Sequence, residues 1–169
     1  PRKFSSTQVN LPPALAQAVI AKANAIPDED LAPDGRAGQT PDTAPHVTVK
    51  YGLHTAAAEK VRALLADEPP ITVTLGTTSF FPNGESGSGD VLKVDVDSPD
   101  LHRLNKKIAE ALEVTDTHPT YKPHGPIAYL KPGLGTQYEG DDSLKGQTVT
   151  IGSVRFSGKD DAQVDIPLT

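Results

Sequence analysis

The segment 45–52, Pro-His-Val-Thr-Val-Lys-Tyr-Gly, alternates polar and apolar residues. This period of two predicts a half-buried β-strand. Because side chains two residues apart point to the same face of a strand, we expect His46, Thr48 and Lys50 on one face. Tyr51 and the two valines would then lie on the other face, toward the core. A titratable imidazole, a hydroxyl and a cation would thus share one sheet surface.

A second histidine also follows a proline and opens an apolar run, in the segment 121–130, Tyr-Lys-Pro-His-Gly-Pro-Ile-Ala-Tyr-Leu. We expect this segment to be the partner of the first, with His124 as its chemical group. The two segments are the strongest functional signal in the chain.

The rest of the chain predicts an α+β fold. Apolar residues at helical spacing predict three helices, within 12–25, 55–68 and 98–112. Strand patterns cover 3–9, 71–75, 77–81, 91–97, 148–156 and 162–168, and the segments 26–44, 83–90 and 131–144 have loop composition. The order lacks a regular βαβ series, which indicates largely antiparallel sheets with helices outside. Each half pairs a helix with a histidine strand, which indicates two related lobes.

The length, composition and net charge of the chain exclude several classes of function. A chain of 169 residues is long enough for one domain with a sizeable core. It has no cysteine, which excludes disulfides, thiolate metal sites and cysteine nucleophiles and is compatible with a cytoplasmic location. No apolar run reaches membrane-spanning length, and no signal-peptide core is present. The net charge of −6 argues against binding long nucleic acids, while a few local cations would still suffice for a small phosphate ligand.

The residues 45–49, Pro-His-Val-Thr-Val, resemble the His-x-Thr-x motif of the two-histidine (2H) phosphoesterase superfamily, the group of 2′-5′ RNA ligases and cyclic phosphodiesterases. The second copy would be His124-Gly-Pro-Ile, 78 residues after the first. A single short pattern recurs by chance. Two proline-preceded copies in this order make the resemblance specific, and it spans nearly the whole chain.

The resemblance implies a bilobal α+β fold in which two pseudo-symmetric antiparallel sheets line a central groove, within a single two-lobed domain over 1–169. His46 and His124 would face each other across this groove. One would activate the nucleophile and the other would protonate the leaving oxygen, since imidazole has a pKa of about 6.5. Thr48 would hydrogen-bond a non-bridging phosphate oxygen. Such chemistry requires neither a metal nor another cofactor.

By the same resemblance, the reaction is the hydrolysis of a cyclic phosphate or phosphodiester, with an RNA-ligase-like reaction also open. The candidate substrates are 2′,3′-cyclic phosphate RNA ends, 2′-5′ linkages, small nucleotides and cyclic oligonucleotides. Destruction of a cyclic signalling nucleotide would fit a viral counter-defence protein in the host cytoplasm. We expect a monomer, with neither a membrane nor long double-stranded nucleic acid as its partner.

One position departs from the family pattern. Pro126 stands where the second hydroxyl belongs, and proline offers neither a hydroxyl nor a backbone N–H. Phosphate binding would then be asymmetric, with Thr48 on one side and Lys122, Tyr121 or Thr120 on the other. Alternatively, catalysis has been lost and the groove only binds a phosphorylated ligand. The predicted substrate contacts are therefore Lys122, Tyr121 (which would stack a base), Pro126 and, beside the first motif, Lys50.

Other interpretations compete with an active phosphoesterase. The chain would be a non-catalytic nucleotide-binding module if Pro126 has abolished turnover. It would be an interaction domain if the histidines are structural, which is how we interpret His54, His102 and His118. The carboxylates along 91–97 lack histidine or glutamate neighbours, so we interpret them as a solvated strand face rather than a metal site.

Overall fold

The computed structural model describes residues 2–40, 43–82, 89–118 and 120–169. Within these ranges the chain forms nine β-strands and three α-helices. The strands are β1 (Ser5–Asn10), β2 (Leu31–Arg36), β3 (His46–Leu53), β4 (Ile71–Phe81), β5 (Asp90–Asp97), β6 (His124–Leu130), β7 (Thr148–Ile151), β8 (Ser153–Ser157) and β9 (Gln163–Pro167). The helices are α1 (Pro13–Asn24), α2 (Ala58–Leu65) and α3 (Pro99–Ala111).

The strands form two antiparallel sheets, as the strand pattern predicts. The first has the order β3-β1-β8-β9 and the second the order β2-β6-β5-β4-β7. Each sheet thus contains one of the two histidine strands, β3 at an edge of the first and β6 inside the second. The α+β class and the two sheets are confirmed.

The helices bury the apolar stripes that their sequences carry. In α3 the side chain of Ser98 accepts a hydrogen bond from the backbone N–H of Leu101, and Pro99 opens the helix. Leu101, Leu104 and Ile108 on this helix are fully buried. Helix α3 packs against β3 and β4, and α1 packs against β6. Residues from both sheets join in one hydrophobic cluster, so the histidine strands lie on a shared core.

Three segments differ from the prediction. The segment 26–44 contains strand β2, which pairs with β6; its sequence, Leu-Ala-Pro-Asp-Gly-Arg, lacks the alternation that identifies a strand. The predicted strand 148–156 is interrupted at Gly152, and the chain changes from the second sheet to the first there. The pieces 71–75 and 77–81 form one continuous strand, β4. Most of the hairpin loop predicted at 83–90 lies outside the described residues.

Candidate functional site

The two histidine strands meet where they begin. His46 is the first residue of β3 and His124 the first of β6. A Cβ atom built on Gly125 would lie 3.5 Å from the carbonyl oxygen of His46, so the two backbones are close there. The Oη of Tyr121 donates a hydrogen bond of 2.7 Å to the carbonyl oxygen of Thr48. Tertiary packing therefore brings together two motifs that are far apart in the chain.

Both imidazole rings are held in the same way. The Nδ1 of His46 lies 2.8 Å from the carbonyl oxygen of Ala44, and the Nδ1 of His124 lies 2.7 Å from the carbonyl oxygen of Lys122. In each case the accepting residue is two positions earlier, with a proline between. Because a carbonyl oxygen only accepts, Nδ1 carries the proton, and Nε2 of the neutral ring presents a lone pair.

The two Nε2 atoms are available for proton transfer. Neither has a hydrogen-bond partner within the described ranges of the chain. The same ranges contain no buried side-chain nitrogen or oxygen that lacks a partner. Both Nε2 atoms therefore reach solvent, although the two rings are only partly exposed.

Burial lowers the pKa of both histidines, because the charged imidazolium loses solvation. The hydrogen bonds from Nδ1 to the backbone oppose this shift. A nearby cation adds to it in each case, Arg155 at His46 and Lys93 at His124. The neutral rings are therefore favoured, as a general base requires.

A β-bulge in β3 decides which side chains share a face with His46. Thr48 pairs with Gln8 of β1, whereas Lys50 pairs with Thr7, so Val49 is an extra residue between them. The bulge leaves Thr48 on the face of His46 and turns Lys50 to the opposite face. The expectation that Lys50 shares this face is wrong.

The bulge also explains the surroundings of the next two side chains. The side chain of Lys50 is only 10% exposed, and its ammonium is paired with the carboxylate of Asp116. Tyr51 is 43% exposed and meets the ring of Phe4 edge to face, so it does not face the core as predicted. Lys50 is therefore not placed to contact a phosphate at His46.

Strand β6 contains a β-bulge at the matching position. Pro126 pairs with Lys93 of β5, and Ala128 pairs with Leu92, which makes Ile127 the extra residue. Strand β2 pairs with β6 only at Ala128 and beyond. At Pro126 the ladder therefore continues on one side only, which is where a strand tolerates proline.

A buried cation that the sequence did not reveal lies beside the second motif. The ammonium of Lys93 is 2.6 Å from Oδ1 of Asp95 and also donates to the hydroxyl of Ser79, which itself donates to Asp95 over 2.7 Å. Lys93 also lies 4.5 Å from the ring centre of Phe81, and that ring meets His124 edge to face at 5.1 Å. This strand face is therefore not simply solvated. The alternation in 91–97 predicts that Lys93 and Asp95 share one face, but it does not show that Lys93 is buried or that Ser79 and Phe81 contact it.

The first motif has polar neighbours on β1. Asn10 pairs with His46 and Gln8 with Thr48, and the Nε2 of Gln8 donates to Oδ1 of Asn10 over 2.7 Å. Gln8 in turn pairs with Arg155 of β8. No local pattern points to these residues, since they lie far from the motif along the chain.

The remaining predicted contacts have different surroundings. The ring of Tyr121 packs against the core and meets His102 edge to face at 5.2 Å. Burial raises the pKa of its hydroxyl, and that hydroxyl is bonded to the backbone of Thr48. This placement favours a structural role over base stacking. The side chain of Lys122 is exposed beside His124.

Two general properties of the described residues complete this picture. No helix among them is long and apolar enough to cross a membrane. Nor do these ranges contain a group of three or more side chains of the types that hold a metal ion.

Comparison with known proteins identifies the family. Residues 11–137 match the family model described as the 2′-5′ RNA ligase superfamily. The chain belongs to this superfamily, and the resemblance to two-histidine phosphoesterases is confirmed. No curated protein matches the sequence.

Several solved structures have the same fold at low identity. The Thermus thermophilus protein TT0787 is 16% identical over 98% of this chain and 95% of its own, with a TM-score of 0.62. Escherichia coli LigT in its apo form is 16% identical over 99% and 95%, with a TM-score of 0.61. Kluyveromyces marxianus Usb1, whose structure contains uridine monophosphate, is 11% identical over 99% of each chain, with a TM-score of 0.61. LigT has also been crystallised with NADP+ and with 3′-AMP.

Proposed function

We propose that this protein is a metal-independent phosphoesterase that hydrolyses a cyclic phosphate or phosphodiester bond in a small nucleotide, a cyclic oligonucleotide or an RNA end. His46 and His124 are its acid–base pair. One observation above all supports this function. Two histidines begin strands of different sheets whose backbones are close at that point, and each is oriented by a carbonyl two residues earlier so that Nε2 reaches solvent.

The proposed reaction uses both Nε2 atoms. One neutral imidazole removes a proton from water, whose oxygen attacks the phosphorus and forms the new P–O bond. The bond to the leaving ribose oxygen breaks, and the other histidine, as imidazolium, donates its proton to that oxygen. A cyclic phosphate gives a phosphate monoester, and a linear phosphodiester gives an alcohol and a phosphate monoester. In both cases the two histidines have exchanged protonation states. The hydroxyl of Thr48, on the face of His46, donates to a non-bridging oxygen.

The site favours a small substrate. Arg155 and Lys93 act on the two histidines, so cations lie near the site of a chain whose net charge is −6. Local cations attract a phosphate, whereas the acidic remainder repels a long polyanion. The structures of LigT with 3′-AMP and of Usb1 with uridine monophosphate are consistent with a nucleotide of this size.

A substrate panel with variants tests the proposal. The wild type is incubated with 2′,3′-cyclic nucleotides, 2′-5′-linked dinucleotides and cyclic dinucleotides in the presence of a chelator. We expect turnover of at least one class, and we expect His46→Ala and His124→Ala each to lower kcat by about 10²–10⁴-fold. His54→Ala is the matched control, because His54 is bonded to Thr115 away from the motifs. Loss of activity with the chelator, or full activity of both alanine variants, would contradict the mechanism.

A second candidate is a non-catalytic nucleotide-binding module, which the proline at position 126 favours. The variant Pro126→Thr separates the two candidates. If the wild type binds nucleotides without turnover and Pro126→Thr alone creates activity, the chain is a binding module. If neither protein turns over or binds any nucleotide in the panel, the site has no nucleotide function. The remaining interpretation of the chain is then an interaction domain.

A further inference from the structure

The two histidine strands have their bulges at the same distance from the histidine, so residues at matching positions of the two strands can be compared directly. In both strands the bulge lies three residues after the histidine. Pro126 therefore occupies in β6 the place that Thr48 occupies in β3. A donor to the phosphate is present on one side of the site and missing on the other.

The residues across the two ladders differ as well. Thr48 lies opposite the neutral Gln8, whereas Pro126 lies opposite Lys93. We propose that Lys93 binds the phosphate on the side of the second motif. Its ammonium would replace the hydroxyl that is missing because position 126 is a proline. This assignment rests on the proposed function, since it places the reacting phosphate between the two motifs.

The face on which Lys93 lies supports this role. Directly paired residues of antiparallel strands point to the same face, so Lys93 shares a face with Pro126, and Asp95 shares a face with His124. The ring of Phe81 contacts both the ammonium of Lys93 and the imidazole of His124. The cation and the histidine therefore border the same small region of the second sheet.

The ammonium retains capacity for another acceptor. It has three N–H groups, and its partners Asp95 and Ser79 use two of them. Among the described residues the third N–H has no hydrogen-bond acceptor and only the ring of Phe81 lies near the ammonium, so this N–H can donate to a phosphate oxygen. Ser79 already donates to Asp95, so the hydroxyl is engaged and the ammonium is the donor that remains.

The ion pair does not cancel the positive charge at the site. The side chain of Lys93 is 7% exposed, while that of Asp95 is 47% exposed. Water screens the exposed carboxylate more than the buried ammonium. In agreement, the effect of Lys93 on the pKa of His124 exceeds the opposing effect of Asp95. At His124 the cation of the pair therefore has the larger electrostatic effect of the two.

This placement makes the site asymmetric. A neutral hydroxyl, that of Thr48, serves one non-bridging oxygen, and a buried ammonium serves the other side. A fixed charge in a partly dry site stabilises negative charge that develops on the phosphoryl oxygens. With Pro126 in place of a hydroxyl residue, the phosphate donor on this side changes from a hydroxyl to an ammonium, and the function is kept.

The test compares charge-removing variants of the ion pair. Lys93→Met removes the charge and retains an apolar stem against Phe81, and Lys131→Met, at an exposed lysine, is its control. On the best substrate of the panel we expect Lys93→Met to lower kcat/KM by about 100-fold. Lys93→Arg keeps the charge and should retain more activity than Lys93→Met.

A double variant shows whether the lysine acts in place of the hydroxyl. In the Pro126→Thr background, where the threonine supplies a donor, we expect Lys93→Met to cost less than about tenfold because the two groups serve the same oxygen. An equal loss in both backgrounds, or no loss in either, would overturn the proposal.

Binding of 3′-AMP, measured by calorimetry, distinguishes an electrostatic role from a structural one. We expect Lys93→Met to weaken binding about tenfold or more, and Asp95→Asn, which removes only the opposing charge, to retain or strengthen it. Equal weakening by both variants would mean that the pair only maintains structure. If Lys93→Met fails to fold, Lys93→Met/Asp95→Asn removes both charges together, and the same weakening is expected.

These measurements also separate this inference from the proposed function. An active wild type with an unaffected Lys93→Met variant contradicts the role of Lys93 alone. A wild type without turnover contradicts the phosphoesterase, and the affinity for 3′-AMP then decides the role of Lys93. A wild type that neither turns over the panel nor binds 3′-AMP overturns both.

Discussion

The hydroxyl of Tyr121 donates a 2.7 Å hydrogen bond to the carbonyl oxygen of Thr48. This contact joins the segment that leads into one motif to the middle of the other. It connects the two halves of the site through a single side chain, so it bears directly on the relative position of His46 and His124.

Removal of this hydroxyl is expected to affect both stability and activity. Tyr121→Phe leaves the ring in place but removes the donor of a part-buried hydrogen bond, which costs about 1 kcal/mol in the free energy of unfolding. Small displacements of catalytic groups are costly, so we expect kcat/KM to fall about tenfold or more. Urea denaturation and steady-state kinetics measure the two effects. Tyr51→Phe, at the exposed tyrosine, is the control; equal behaviour of the two variants would contradict a linking role for Tyr121.

The glycine after the first motif is required by its backbone and its surroundings. Gly52 has a φ of +93°, and a Cβ atom there would lie 2.2 Å from the carbonyl oxygen of Thr115. We expect Gly52→Ala to lower the free energy of unfolding by more than about 2 kcal/mol. Gly152→Ala is the matched control, since a Cβ there meets nothing within 4 Å, and it should stay within about 0.5 kcal/mol of the wild type. A Gly52→Ala protein as stable as the wild type would contradict this expectation, because the backbone at Thr115 would then have to move away from position 52 at little cost.

Stability is expected to fall as the pH decreases below about 6.5, the unperturbed histidine pKa. The folded state lowers the pKa of His46 and His124, so the unfolded chain binds protons more tightly. Each group thus leaves stability unchanged above about 6.5 and reduces it as the pH falls from 6.5 to the folded pKa, with a slope of at most about 1.4 kcal/mol per pH unit, and the loss is complete below the folded pKa. Carboxylates with lowered pKa, such as Asp141 at about 2, act only at lower pH.

Denaturation at pH 5 to 7 measures this effect. We expect the double variant His46→Gln/His124→Gln to have a flatter profile than the wild type over this interval. A wild-type stability that rises on acidification from pH 7 to pH 5 would show that the sign of the two shifts is wrong.

The activity profile follows from the same shifts. The proposed reaction requires one neutral and one protonated histidine, and this form is most abundant between the two pKa values. Because both are lowered in the free protein, we expect kcat/KM to be highest below about pH 6.5. Initial rates at low substrate concentration and constant ionic strength give the profile. A kcat/KM that keeps rising to pH 8 would exclude His46 and His124 as the acid–base pair.

The sequence alone determined the chemical groups and the class of fold. The alternation around His46 and the proline before each histidine identified the two motif strands, because local sequence carries the period of a strand. Helical spacing likewise identified α3 with its cap at Ser98. Residue types at fixed spacing were sufficient for the family, since His46, Thr48 and His124 lie in two short segments.

The tertiary structure decided which side chains share a face. A bulge depends on the partner strand, so no local pattern shows that Val49 is an extra residue or that Lys50 turns away from Thr48. Likewise, only pairing between β5 and β6 places Lys93 opposite Pro126, and only packing buries its charge. Strand register and burial arise from contacts distant along the chain, and they decided where the donors at the site lie.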